Sequence, residues 1–245
     1  MKTAPIVLAL DTSHQRGSVA VSRGEEVLSE LLFDASDTHS ATLLPGVDAC
    51  LASAKVALSD VELFAVVCGP GSFTGLRIAL ATVKAFAAVR RAPVAPVESC
   101  AVLAAAFPYA ARPVLTLIDA RRGEVYGALY ETTDGSPRLI VPLFSAKPEA
   151  IGDILARHSV AGPLILCGTG ALRHRAAFEA LVPDGSRFAG ERWAVPSASL
   201  CALLALEREP LSYDELFALE PLYIRPPDAR LPDTANMRKR GRGAP

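Results

Sequence analysis

The sequence predicts an α/β protein made of two similar lobes, each running strand, strand, strand, helix, strand, helix. Three observations carry this. The order of apolar runs and helical patterns in the first half returns in the second. The stretch LALDTSHQRGSVAV (residues 8–21) is echoed by LTLIDARRGEVYGAL (115–129), each setting an Asp at a strand end before an Arg-Gly and a second strand. VVCGPG (66–71) is echoed by ILCGTG (165–170) at the corresponding late strand. Both echoes in the same order favour an internal duplication over chance.

Taken in order, Ile6 to Asp11 is a short apolar run ending in a polar turn, a buried strand. GSVAVSRGEEVLSELLF reads as two strands joined at Arg23-Gly24. Ser40 to Leu58 is helical, with Leu44, Val47, Leu51 and Leu58 on one face. Leu63 to Cys68 is a further strand, followed by the turn GPGSFTG and a helix from Thr74 to Val89. RRAPVAPVESCAVLAAAF reads as a linker, because its prolines stop the preceding helix. PVLTLIDARRGEVYGALYETTDGSPRLIVPLF then supplies three strands, with Asp134-Gly135 marking the second turn. KPEAIGDILARH is a helix with Pro148 in its first turn, and PLILCGTGALRHRAAFEALV is a strand, a glycine turn and a helix. Two short helices follow, in WAVPSASLCALLALERE and SYDELFALE. Two βββαβα units facing each other form the duplicated ribonuclease-H-like arrangement of the actin, hexokinase and Hsp70 (ASKHA) class. The expected division is a first lobe over 1–97 and a second over 98–225, whose last helices either stay with it or return to the first. Residues 226–245 lack apolar residues in their last part and are expected to be a disordered basic tail.

The 245 residues carry a formal net charge of -1, which argues against a global nucleic-acid field. The tail cluster Arg238, Lys239, Arg240 and Arg242 could touch RNA phosphates, but a solvated tail is the simpler reading, since no aromatic residue accompanies it. Five scattered cysteines in apolar stretches form no CxxC and read as core residues of a reducing compartment. Arg77, Lys84, Pro108 and Arg112 interrupt the longest apolar runs, so no membrane span is expected, and the expected location is the cytoplasm.

In such a fold the two Asp-bearing hairpins and the late glycine turns line the cleft between lobes. Asp11, Thr12, Ser13, Asp119 and the turn Gly168-Thr169-Gly170 are therefore the candidates for nucleotide and magnesium contacts. The competing reading has Asp11 and Asp119 capping their turns, with Arg121 and Arg122 neutralising Asp119. The turn GPGSFTG lacks the Gly-Lys-Ser/Thr end of a P-loop and the GxGxxG spacing of a Rossmann turn, and it is not a GxSxG elbow. Of the four histidines (His14, His39, His158 and His174), no two stand at i, i+4, and His39 beside a helix start suits a capping or surface role.

LALDTS, THSATLLPGVD, CGPGSFTGLRIAL, LIDARRGEVYGALY, CGTG and PLYIR, in that order, resemble the bacterial TsaB family, also called YeaZ. The resemblance runs from about Ile6 to Arg225. It implies the duplicated fold, and a role in making N6-threonylcarbamoyladenosine in tRNA. It also implies a non-catalytic platform for the transferase TsaD with the ATPase TsaE, and tRNA reached through the complex, while homodimer and monomer both stay open for the chain alone. No cofactor is expected for the chain by itself, ATP or ADP being bound by the partner complex. The rival expectation is an ATP-dependent kinase or carbamoyltransferase of the same fold, acting alone through Asp11 and Asp119. An old peptidase label for relatives of this fold finds no HExxH and no nucleophile relay here.

The helix from Thr74 to Val89 is apolar almost all round, and Arg77, Lys84 and Arg91 recur every seven residues as one narrow charged stripe. Such a helix needs two things to bury against, its own sheet and a partner chain. Leu44, Val47 and Leu51 of the neighbouring helix, with Arg77, Leu80, Ala81, Lys84 and Ala85, are the expected partner surface. Ala41, Ala52 and Ala54 would permit close helix packing.

Overall fold

The computed structural model of the chain describes residues 4–34 and 39–224, the side chains of His39 and Ser40 excepted. The basic tail and the role expected for His39 lie outside what is described. The first repeat runs β1 (Ile6–Asp11), β2 (Arg16–Arg23), β3 (Glu26–Asp34), α1 (His39–Ala54), β4 (Leu63–Gly69), α2 (Phe73–Arg90), β5 (Val94–Glu98) and α3 (Ser99–Ala105). The second runs β6 (Val114–Asp119), β7 (Val125–Glu131), β8 (Arg138–Ala146), α4 (Ile151–Arg157), β9 (Ile165–Cys167), α5 (Thr169–Arg173), α6 (Arg175–Glu179), β10 (Arg187–Phe188) and α7 (Ala198–Ala205). Strand order is β3-β2-β1-β4-β5 in one sheet and β10-β9-β6-β7-β8 in the other, the same order read from opposite ends. In each lobe the first three strands are antiparallel neighbours, and the fourth joins the first in parallel. This is the duplicated ribonuclease-H-like fold of the ASKHA class.

The repeat is longer than the sequence reading, because each lobe adds a fifth strand and a last helix. The segment expected as a linker is β5 and α3. Pro96 belongs to β5 because β5 is an edge strand, with one side that owes no ladder hydrogen bond, while Val94, Ala95 and Val97 are buried. The helix expected after the CGTG turn is two short helices that meet at His174.

Strand alternation sorts the core into three layers. On β1, Leu8 and Leu10 face outward with Val19, Val21, Phe64 and Val66, and are covered by Leu43, Val47, Leu80 and Val83 of α1 and α2. Val7 and Ala9 face inward, into a central layer where α3 and α7 lie between the lobes. That layer is built of small side chains such as Ala101, Ala104, Cys201, Ala202 and Ala205, which let helix and sheet backbones approach closely. The second sheet sends Val114 and Ile118 inward and Leu115 and Leu117 outward, under Ile151, Leu155, Ala171 and Phe178. Among the described residues no helix is long and apolar enough to cross a membrane.

Candidate functional site

Two features concentrate polar or unpartnered groups: the cleft between the lobes and the outward face of α2. In the first hairpin turn, Asp11 is fully buried, and its Oδ1 accepts a hydrogen bond from the Ser13 N–H at 2.8 Å. Its Oδ2 is buried with no partner. Desolvation therefore pushes the carboxyl up to about 7, against the pull of the Ser13 hydrogen bonds. Thr12 Oγ1 donates to the Gly75 carbonyl at 2.7 Å, and Ser13 Oγ lies 2.8 Å from His14 Nδ1. Burial, helped by the Arg16 charge, holds His14 down at about 4, so the imidazole is neutral at ordinary pH.

The GPGSFTG turn lies directly on this hairpin. Ser72 N–H donates to the Ser13 carbonyl at 2.7 Å, and a Cβ at Gly71 would stand 2.4 Å from that same oxygen. Gly71 is there so the two backbones can touch. Ser72 then caps α2, its hydroxyl accepting from Gly75 N–H at 3.3 Å.

The second hairpin repeats the turn with a different outcome. Asp119 Oδ1 accepts from the Arg121 N–H at 3.0 Å, as Asp11 does from Ser13. Its Oδ2 accepts from Arg173 Nη1 at 2.7 Å, so the neutralising guanidinium comes from the end of α5 rather than from Arg121 or Arg122. Asp119 N–H donates to Thr169 Oγ1 at 3.1 Å. A Cβ at Gly168 would stand 2.3 Å from the Leu117 carbonyl oxygen, and one at Gly170 2.9 Å from Val125 and 3.0 Å from the backbone of β6. The close approach these glycines permit is to the chain's own strand.

A cleft of about 420 Å³ opens between the hairpins, lined in part by Ser13, His14, Ser72, Thr74, Asp119, Arg121, Tyr126 and Thr169. Of the cleft candidates, Ser13, Asp119 and Thr169 line it, while Asp11, Thr12, Gly168 and Gly170 do not. The residues present do not fit a magnesium nucleotide: one carboxylate is sealed in the core, and the other is already bonded to a guanidinium and a backbone amide. Among the described residues no three His, Cys, Asp or Glu side chains stand together as metal ligands. All five cysteines are buried free thiols; burial pushes Cys68 and Cys100 up to about 12, away from nucleophilic thiolates.

The expected partner surface divides in two. Val47, Leu51 and Leu80 are buried in their own lobe's core. On α1 the inward face is Leu43, Val47, Cys50 and Leu51, which leaves Leu44 outward and 49% exposed. On α2, Leu76, Ala79, Leu80, Val83 and Ala87 turn inward. Phe73, Arg77, Ala81, Ala85 and Val89 are all exposed and spaced by four, Val89 at 84%. They form a single i±4n ridge of the kind that packs into a groove of another helix. Arg91 leaves the charged stripe because it is the C-cap, in the left-handed conformation at φ 50°.

The sequence reading missed what lies beside that ridge. Residues 211–223 run back along α2 as a strap of the chain itself. Leu211 bridges to Val94, Leu216 is buried in the first lobe's core, and Lys84 Nζ donates to the Phe217 carbonyl at 3.3 Å. Leu222 N–H donates to the Cys68 carbonyl at 2.8 Å, and Tyr223 stacks on Phe73 with centroids 5.2 Å apart. Arg77 lies over the other partner of that stack, 5.1 Å from the Phe73 centroid. The apolar spacing of Tyr213, Leu216, Phe217 and Leu219 was the available signal. Part of the second surface that α2 requires is thus its own chain, and Phe217 is left 63% exposed at the edge.

Comparison with known proteins agrees with this architecture. The family model of TsaD, tRNA N6-adenosine threonylcarbamoyltransferase, matches residues 33–150. The chain is 33% identical over 136 residues to the tRNA threonylcarbamoyladenosine biosynthesis protein TsaB of Bacillus subtilis, covering 56% of this chain and 59% of that protein. It is 33% identical over 227 residues to an uncharacterized protein of Mycobacterium tuberculosis, covering 91% and 93% of the two. The solved structure of YeaZ from Pseudomonas aeruginosa superimposes with a TM-score of 0.73 at 29% identity, over 90% of this chain and all of that one. The matches span little more than half the length of the first TsaB relatives. From the fold, the full-length structural match and these relatives, the chain belongs to the TsaB family, also called YeaZ.

Proposed function

We propose that this chain is a non-catalytic component of the machinery that makes N6-threonylcarbamoyladenosine in tRNA. It is the platform on which a TsaD-type transferase docks, with a TsaE-type ATPase as a further partner. tRNA is reached through the complex, the site of action is the cytoplasm, and ATP or ADP is held by the assembly rather than by this chain alone. The observation that carries the reading is the exposed ridge Phe73, Arg77, Ala81, Ala85 and Val89 on a helix whose other side is fully packed. The names of the TsaB relatives supply the pathway. The state of the cleft carboxylates supports a platform over an enzyme: Asp11 has no free path to a ligand, and Asp119 is paired with Arg173.

The test is Ala81→Asp. A new carboxylate taken out of water at the ridge costs about 2 kcal/mol or more even with Arg77 one turn away, yet Ala81 is exposed in the isolated chain, so the fold is untouched. Size-exclusion with light scattering, with the variant alone and mixed with the same organism's TsaD-type subunit, should show a folded protein that no longer binds. tRNA modification by the reconstituted mixture should fall with it. Binding at full strength would place the platform surface elsewhere.

A further inference from the structure

The helix α7 follows the second lobe in sequence, yet it packs on β1, β2, β4 and β5 of the first. Its N-terminus is capped by side chains of that first lobe. Ser197 stands at the N-cap but makes no cap bond of its own; its Oγ donates to Glu30 Oε1 at 2.6 Å instead. The same Oε1 accepts the Ser199 N–H at 3.1 Å, and Oε2 accepts the Ser199 hydroxyl at 2.9 Å. Ser18 Oγ accepts the Ala198 N–H at 2.9 Å. One carboxylate and one hydroxyl thus satisfy the first two amides of a helix whose dipole favours negative charge there. The other end of α7 reaches the second lobe, where Ser136 Oγ, in the β7–β8 turn, donates to Glu207 Oε1 at 2.6 Å. We propose that α7 is a strut, and the Glu30 clamp a lock, that together fix the angle between the lobes and with it the width of the cleft.

The layer between the lobes is built of small side chains, among them Ala101, Ala104, Cys201, Ala202 and Ala205, which offer few knobs against the sliding of packed helices. Resistance to a change of angle then falls to the polar ties at its margins. Glu30 sits on β3, the edge strand four places from β5, where the chain passes into α3. At the usual strand spacing that is a lever arm of about 19 Å. Bonds placed there oppose a rotation better than the same bonds beside the crossing. Arg16 Nη2, donating to the Glu191 carbonyl at 2.9 Å, adds a second first-lobe hold just before α7. The clamp has no twin in the other repeat. There α3 has no side-chain cap, Ser99 Oγ is buried without a partner, and β8, the strand equivalent to β3, carries no carboxylate. One clamp therefore decides between a fixed and a loose pair of lobes.

The experiment uses the full chain with nitroxide labels at Ser53→Cys on α1 and Ala156→Cys on α4, both exposed positions, while the five native thiols are buried. Pulsed electron paramagnetic resonance then reads the distance between the lobes. Wild type should give one narrow distance. Glu30→Ala, which loses all three bonds to the carboxylate, should widen the distribution at least about twofold. Glu30→Gln should keep the wild-type width, because its amide oxygen still accepts from Ser197 Oγ and Ser199 N–H, and its amide group donates to the Ser199 hydroxyl. Ser99→Ala is the control on the unclamped helix and should change nothing. A distribution in Glu30→Ala as narrow as wild type overturns the lock, and so does equal widening in Ser99→Ala. Hydrogen exchange separates a lock from a plain helix cap. Faster exchange at residues 199–201 with an unmoved distance means that Glu30 only caps α7, and the lock is wrong. If Glu30→Ala does not fold, Ser199→Ala takes its place; it removes one bond and keeps two, so a smaller widening is expected, and none at all overturns the lock.

Discussion

Asp11 and Asp119 sit at equivalent places in the two repeats, each at the end of a lobe's first strand and each accepting an N–H two residues ahead. Around the first, the GPGSFTG turn closes down and leaves a carboxyl sealed from water, with one oxygen unpartnered. Around the second, the cleft stays open and an arginine from α5 supplies the counter-charge. The same divergence separates the late helices. In the first lobe that helix runs 18 residues and presents a ridge, and in the second it is two pieces of five residues packed on the sheet. Duplication provided two similar clefts' worth of parts. One lobe turns its late helix toward an external surface and the other toward internal packing, and of the two carboxylates that keep the turn only the first is sealed from water.

The comparison predicts first that the glycine of the second turn is an architectural necessity. Gly168 has φ 102°, and its added Cβ would meet the Leu117 carbonyl oxygen at 2.3 Å, backbone against backbone. Gly168→Ala should cost about 3 kcal/mol or more, read from the denaturation midpoint. Gly123, with φ 76° but nothing within 4 Å, is the control: Gly123→Ala carries only the left-handed strain of about 1 kcal/mol. Equal effects would show that strain rather than crowding governs these turns.

The second prediction separates the buried pair Asp11 and His14 by pH. Asp11 rises from 3.8 to about 7 on folding, so between those values the folded chain holds a proton that the unfolded chain has lost. This group's contribution therefore falls as pH rises from about 4 to 7. His14 drops from 6.5 to about 4, so the unfolded chain binds the extra proton there, and its contribution falls as pH drops from 6.5 to 4. The two slopes oppose each other, and the wild type should be nearly flat across that range. Asp11→Asn should unmask the histidine slope and gain about 2 kcal/mol above pH 7, since an amide oxygen can still accept from Ser13 N–H without a buried charge. His14→Gln should unmask the opposite slope. Urea titrations at pH 4.5, 6 and 8 decide this, and a single-signed profile in both variants would refute the independence of the two groups.

Much of this was legible in the sequence because each part obeys one local rule. The Asp-turn-strand echo and the CGPG and CGTG strings identify the duplication, and the alternation of β1 and β6 identifies buried strands. β5 was not legible, since Pro93 and Pro96 punctuate it as a linker and only its edge position makes a proline harmless. On α1, Leu44 and Leu43 are equally apolar neighbours, and only the packed sheet decides that Leu43 goes in and Leu44 out. Asp119's partner was sought among the adjacent Arg121 and Arg122, whereas Arg173 lies 54 residues away in sequence. The strap on α2 was likewise a tertiary fact, since a helix pattern says that two faces are covered and never by what.

The smallest expected effect concerns that arginine. Arg173 is 63% exposed, and its bond to Asp119 is short at 2.7 Å, but the guanidinium stays largely in water. Asp119 keeps the Arg121 N–H on its other oxygen when Arg173 is shortened, and the cleft gives the freed oxygen access to solvent. No desolvated charge is stranded, in contrast with the first hairpin, so Arg173→Ala should cost only about 0.5 kcal/mol and lose most of that in about 0.5 M salt. The measurement is the urea midpoint of wild type and variant at low and high salt. A cost above about 2 kcal/mol, or one that salt does not reduce, would mean that the second carboxylate is held as tightly as the first. The two hairpins would then differ in their partners and not in their exposure.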